Sequence, residues 1–180
     1  MRLLFIGPPG AGKGTQAGKV AARLGIPHVS TGEMFRDHVS RGTDLGRQVD
    51  AIMAAGDYVP DEVTVEMLSQ RIAEDDATNG FILDGFPRTA AQVASLDRLL
   101  GERGLDRVVV LDVDEAALTD RLMSRGRADD TEETIHNRFQ VYLDQTEPLI
   151  DIYEERGLAV AVDGTGDVEE ITERILSVLL

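Results

Sequence analysis

The chain has 180 residues, 42% of them hydrophobic and 28% charged, which suits a single globular domain with a sizeable core. It contains no cysteine, which excludes disulfides, a catalytic thiol and a cysteine zinc site. Its formal net charge of −15 repels nucleic acid and anionic lipid, so a nucleotide site here must concentrate positive charge locally.

Lys13 and Lys19 are the only lysines, and nearly all other positive charge is arginine, a bias that genomic base composition explains better than salt adaptation. No apolar stretch is long enough to span a bilayer. The first strand begins at once, with no leader pattern, so a cytoplasmic protein is expected.

The apolar run Leu3-Leu4-Phe5-Ile6 reads as a strand, and Gln16 to Leu24 reads as a helix. Between them lies Gly7-Pro8-Pro9-Gly10-Ala11-Gly12-Lys13-Gly14-Thr15. The glycines let backbone N–H groups turn inward around phosphate oxygens, and the helix adds its positive end. Lys13 supplies a mobile charge for the outer phosphates. Gly7-x4-Gly12-Lys13 therefore reads as a nucleoside-triphosphate phosphate loop. One position departs from that pattern: Gly14 stands where Ser or Thr usually follows the lysine, and Thr15 comes one later.

Pro27 to Ser30 reads as a short second strand, with Ser30 or Thr31 capping the helix that follows. Gly42 and Gly46 punctuate a helical hairpin running to Ala55. Gly56 to Asp61 is a loop, and Asp61 or Thr64 caps a helix to about Glu74. These three helices form an insertion over the sheet edge, either a movable lobe or a rigid cover.

Gly80-Phe81-Ile82-Leu83-Asp84 reads as a buried parallel strand ending in a carboxylate. Ligands bind at such strand ends in open α/β sheets, and the acid could hold Mg²⁺ directly or through water. Helix capping is the plainer use of that aspartate. A helix is expected from Thr89 to about Arg103, a strand over Arg107–Val113 and a helix over Glu115–Ser124. Arg121 and Arg125 share one helix face at i,i+4 spacing. A polar turn, Arg125 to Asp130, leads into one long helix from Thr131 to about Glu155 that carries Arg138. A last strand (Leu158–Val162), a loop (Asp163–Gly166) and a closing helix finish the chain. Strands alternating with helices predict an α/β fold on a mostly parallel sheet.

Arg36, Arg88, Arg121, Arg125, Arg127 and Arg138 fall near strand ends or turns. Phosphoryl transfer between two nucleotides gathers many negative charges, and guanidinium groups bind phosphate bidentately without losing charge. Positioning and charge stabilisation carry that chemistry. Singly, each arginine reads as a surface residue.

The phosphate loop, Thr31-Gly-x-x-x-Arg36, Asp84-Gly85-Phe86-Pro87-Arg88 with Gln92, and Arg125-x-Arg127-x-Asp129-Asp130 with Arg138 together resemble the adenylate kinases, in that family's order along the whole chain. The resemblance implies a P-loop NTPase-like three-layer fold with a five-stranded parallel sheet. It implies one kinase domain over 1–180, an AMP-binding lobe over 30–59 and a short lid over 126–132. The implied reaction is Mg·ATP + AMP ⇌ 2 ADP. By the same resemblance Gly10, Ala11, Gly12, Lys13, Gly14 and Thr15 hold the ATP phosphates, with Arg121, Arg125 and the Gly166 backbone completing the ATP site. The family uses this loop with Gly at the position of Gly14.

Thr31, Arg36, the Asp57-Tyr58-Val59 backbone, Gly85, Phe86, Pro87, Arg88 and Gln92 form the implied AMP site, with Arg127 and Arg138 at the phosphate junction. Lys13 stabilises the transferred group, and Asp129 orients arginines as the lid closes. Mg²⁺ is implied through waters beside Asp84, with Thr15 a second candidate. Only Gly126 separates Arg125 from Arg127, so the β-rich lid insert of the long form is missing, and zinc is excluded with it. A monomer is the family expectation.

A UMP/CMP kinase shares the phosphate loop and the Asp84–Arg88 motif, but usually has Asn where Gln92 stands and lacks the Thr31 pattern. A GTPase-type switch needs an Asn-Lys-x-Asp motif, and neither Lys13 nor Lys19 lies in one. A binding module with a degenerate site should have lost some of the arginines.

Overall fold

The computed structural model of the chain describes residues 1–126 and 131–180. Five described strands form one parallel sheet in the order β2-β3-β1-β4-β5: β1 (Arg2–Ile6), β2 (His28–Ser30), β3 (Phe81–Asp84), β4 (Arg107–Asp112) and β5 (Ala159–Asp163). β1 and β3 are almost wholly buried, as their unbroken apolar runs require between two helical layers. α1 (Lys13–Leu24) and α9 (Val168–Leu179) cover one face, where Leu3, Phe5, Val20, Val109 and Ile175 share a core. α5 (Ala90–Leu100) and α8 (Leu149–Glu155) contribute Val93, Leu96, Leu149 and Tyr153 to the core of the other face. The buried Gln16 side chain of α1 accepts from Thr172 and donates to the Val168 carbonyl, which locks α1 to α9.

Between β2 and β3 lie α2 (Thr31–Ser40), α3 (Asp44–Ala55) and α4 (Asp61–Ile72). They enclose a small core of their own around Phe35, Val49, Val59 and Met67. Gly46 is not a hairpin break, as its position between two helices suggested. It sits inside α3, where a Cβ would lie 2.2 Å from the His38 carbonyl oxygen, so it lets α2 and α3 cross closely.

The expected long helix after Thr131 is broken into α7 (Glu132–Val141), a π-helical segment (Tyr142–Thr146) and α8. Pro148 has no N–H to continue the ladder. α6 (Glu115–Arg125) precedes α7.

β1 lies between β3 and β4, so the chain order reverses beside it, and the crevice at the strand C-termini opens there. Phe5 pairs in register with Asp84, which puts the carboxylate at the end of β3 beside the loop that leaves β1.

Candidate active site

The phosphate loop joins β1 to α1. Gly12 is the residue before α1, with φ 90°, and Gly10 has φ 85°. A Cβ on Gly10 would lie 2.7 Å from the Leu118 carbonyl oxygen of α6, so both backbone angle and space demand glycine there. α1 begins with no side-chain cap and no acid among its own first-turn residues, so its N–H groups and the positive end of its dipole stay open to an anion. The Lys13 ammonium arches back and donates to the carbonyls of Gly7 (2.7 Å) and Pro8 (3.0 Å).

Asp84 is buried, and its Oδ2 lies only 3.4 Å from the point where a Cβ on Gly14 would sit. Burial pushes its carboxyl up. The His28 hydrogen bond and the charges of Lys13 and Arg88 outweigh that, holding it below the ordinary carboxylate range. His28 reaches it from the neighbouring strand β2, Nε2 to Oδ2 at 3.4 Å. An ionised carboxylate against a phosphate loop, with Thr15 lining the same cavity, fits Mg²⁺ held through water.

The opposite wall is assembled from separate segments. Ser30 caps α2, which leaves the Thr31 hydroxyl to donate to the Gly85 carbonyl at 2.9 Å. Arg88 Nε donates to the same oxygen at 2.7 Å. Gly85 has φ 84°, and a Cβ on it would lie 2.9 Å from Arg88 Nη2, so any side chain would displace the guanidinium.

That guanidinium lies over the Tyr58 ring, 4.8 Å from its centroid. The Thr146 hydroxyl donates to the Arg88 carbonyl at 2.8 Å and lies 2.8 Å from the Tyr58 hydroxyl. A carbonyl can only accept, so the single Thr146 proton is spent on it and Tyr58 must donate to Thr146.

The Gln92 amide is buried, not solvated: its oxygen accepts from the Arg88 backbone N–H and its nitrogen donates to Asp61, each at 2.7 Å. Asp61 is thus no side-chain cap for α4, whose N-cap, Pro60, carries no side-chain hydrogen bond.

α7 ties the helical insertion down. Thr134 donates to the Ala54 carbonyl, and Asn137 donates to the Ala55 carbonyl and to Asp57. These bonds satisfy carbonyls that the end of α3 leaves open. Arg138 lies against Gly56, Arg36 against Gly32, and Arg121 donates to the Gly164 carbonyl at 3.2 Å. Arg174 of α9 donates to the carbonyls of Asp163 and Thr165, shaping the loop before Gly166.

Gly10 to Thr15, Thr31, Arg36, Asp57 to Val59, Asp84, Gly85, Pro87, Arg88, Gln92, Arg121, Arg138 and Gly166 all line one cavity of about 560 Å³. Phe86 differs, since its side chain packs in the core under α5 and only its backbone remains for a ligand. Arg125 closes α6; its side chain and all of Arg127, Asp129 and Asp130 lie outside the described residues, as does most of the expected 126–132 lid.

Sequence reasoning missed His28, Thr134, Asn137 and Thr146 and used only the backbone of Tyr58. Their partners lie 56 to 88 residues away in the chain, beyond any local pattern. Asp61 carried a signal, an acid directly after Pro60, that pointed to a different job.

A sequence profile of the adenylate kinase family matches residues 5–158. An adenylate kinase of Clavibacter michiganensis is 54% identical over 99% of this chain and 92% of its own length. Another, from Leifsonia xyli, is 53% identical over 98% of this chain and 92% of its own. A third, from Nocardia farcinica, is 50% identical over 99% of both chains. The cavity that these residues share, the parallel sheet and these matches agree, and the chain belongs to the adenylate kinase family.

Proposed function

We propose that the chain transfers the terminal phosphoryl group of Mg-ATP to AMP, giving two ADP. One observation carries this reading: a phosphate loop, the charged groups Asp84, Arg88, Arg121 and Arg138, and the Gln92 amide all line one and the same cavity. Two nucleotides meeting phosphate to phosphate need a charged centre and, beyond it, a group that reads a base.

The loop N–H groups and the α1 dipole hold the ATP phosphates. Lys13 leaves the Gly7 and Pro8 carbonyls for the outer phosphates and follows the transferred group. Arg88 and Arg36 grip the AMP phosphate, Arg121 grips ATP, and Arg138 spans the junction. Arg125 and Arg127 complete the charge on the lid side, and Gly166 lies against the ATP base. The reaction needs little covalent help: alignment and neutralisation of spread charge lower its barrier. Asp84 and Thr15 would hold, through water, the Mg²⁺ carried with ATP, and the ion would supply further neutralisation of the phosphate charge.

Residues 30–59 act as the AMP lobe and 126–132 as a short lid, and both close to exclude water. The protein works as a cytoplasmic monomer on ATP, AMP and ADP, without nucleic acid or membrane. Among the described residues, no helix is long and apolar enough to cross a membrane. A coupled ADP-formation assay offering AMP, UMP, CMP and GMP as acceptors tests the reading. AMP is expected to be the preferred acceptor; a higher specificity constant for UMP or CMP overturns it.

A further inference from the structure

Gln92 is only 2% exposed, and it lines the cavity. An amide carries two acceptor lone pairs and two donor hydrogens. The protein takes one of each: the Arg88 N–H gives to Oε1, and Asp61 Oδ1 takes from Nε2, both at 2.7 Å. One lone pair and one hydrogen remain for a ligand. Both protein partners are one-way groups, since a backbone N–H only donates and an ionised carboxylate only accepts. Turning the amide over would set Nε2 against the N–H and Oε1 against the carboxylate. The edge offered to a ligand therefore has a fixed order of acceptor and donor.

Asp61 is well placed to impose that order. It opens α4, where a negative charge is favoured by the helix dipole. Its other oxygen accepts from the Thr89 hydroxyl at 3.4 Å, which holds the carboxylate plane. Thr89 is itself the cap of α5, the helix carrying Gln92, so both partners are referenced to one helix start.

We propose that Asp61 is a specificity-determining residue that acts through Gln92, fixing the amide so that the pocket takes a 6-aminopurine monophosphate and refuses a 6-oxopurine. The inference rests on the AMP reading of this site. Adenine presents an amino donor next to a ring acceptor, which the locked Oε1 and Nε2 match in that order. Hypoxanthine presents a carbonyl acceptor next to a ring N–H donor, the reverse order, which only the overturned amide satisfies. Cytosine shares adenine's order, so Asp61 does not exclude it; the lock acts on the 6-substituent of a purine.

The diagnostic variant is Asp61→Asn, equal in size and able to meet either face of the Gln92 amide. Asp61→Ser has the same two-way character, is accepted at a helix start, and repeats the test should the first variant fail to fold. Specificity constants for AMP and inosine monophosphate are measured on wild-type and variant proteins, with thermal melts for folding. The AMP-to-IMP ratio is expected to fall about tenfold, part of the fall arising from IMP turned over faster than by wild type. A loss of packing alone cannot speed up IMP.

Asp61→Glu keeps the accept-only character and should hold the ratio nearer wild type than Asp61→Asn does. An unchanged ratio in the folded two-way variants overturns the inference, as does a lower ratio in Asp61→Glu than in Asp61→Asn. Wild-type protein that prefers AMP in either case leaves the proposed function standing. Wild-type protein that does not phosphorylate AMP overturns both.

Discussion

Residues 7–15 build one wall of the cavity from a single run of chain, whereas the facing wall draws on Thr31, Tyr58, Gly85, Arg88, Gln92 and Thr146, which meet only after folding. The first wall works through backbone: turned N–H groups, a helix end and one lysine. The second works through side chains that hold one another, with Arg88 gripped by Gly85, Tyr58 and Thr146. A loop of backbone donors suits any polyphosphate. A wall of interlocked side chains can refuse a ligand, and it can be loosened piece by piece.

The largest effect is expected where the first wall has its one side-chain charge. Lys13→Met keeps the stem and removes the ammonium, so turnover should fall at least about a hundredfold, as for loss of a transition-state donor. ATP affinity should fall less, because the loop N–H groups remain. Near-normal single-turnover rates in the variant would remove Lys13 from the chemistry.

On the second wall, Arg88→Lys keeps a charge but loses the flat fork that spans Gly85, the Tyr58 ring and a phosphate. Loss of one charge-assisted bond predicts a fall of about ten- to a hundredfold in kcat/KM for AMP. Circular dichroism must show the variant folded. A folded variant with wild-type kcat/KM would deny Arg88 its place, and the second wall with it.

The two walls were not equally legible in the sequence. The glycine spacing of residues 7–15 is itself the geometry, because Gly10 and Gly12 must take positive φ to build the loop. The alternation of apolar runs and helices likewise gave away the sheet. Gly46 misleads a sequence reading, since a glycine that lets helices cross looks the same in sequence as one that ends them. Gln92 was found only through resemblance. Its partner Asp61 stands 31 residues upstream, and no spacing rule links them.

Asp84 lies between the two walls, and its ionisation reports on both. Its folded pKa is held below the ordinary value despite burial. The stability this contributes is complete above about pH 4, the unfolded carboxylate's range, and is lost as pH falls through the lower folded value. Melting curves from about pH 6 to pH 3 should therefore fall less steeply for Asp84→Asn than for wild type. An equally steep acid limb in the variant would show that the charges of Lys13, His28 and Arg88 do not favour the ionised form.

The tether of the helical insertion is a smaller lever. Asn137→Ala leaves the Ala55 carbonyl without its donor and frees Asp57, at about 1 kcal/mol. Amide exchange over residues 44–57 should quicken while that of α1 stays unchanged. Equal change in both would mean global destabilisation and no local latch.

The smallest expected effect separates the two supports of Arg88 that involve Tyr58. Tyr58→Phe keeps the ring 4.8 Å beneath the guanidinium and removes only the donor of the relay from Tyr58 through Thr146 to the Arg88 carbonyl. Thr146 keeps its own bond to that carbonyl and loses only a donor to its oxygen. A neutral hydrogen bond of this kind is worth about 1 kcal/mol, so KM for AMP should rise about fivefold at most, with kcat little changed. Tyr58→Leu removes the ring as well, and a cation–π contact at a half-buried site adds about 0.5–1 kcal/mol, a further two- to fivefold. Both increments should appear against AMP and be missing against ATP, because nothing in the relay touches residues 7–15. If Tyr58→Phe and Tyr58→Leu raise the two KM values alike, the walls are coupled through Tyr58, and the division between backbone wall and side-chain wall fails at that residue.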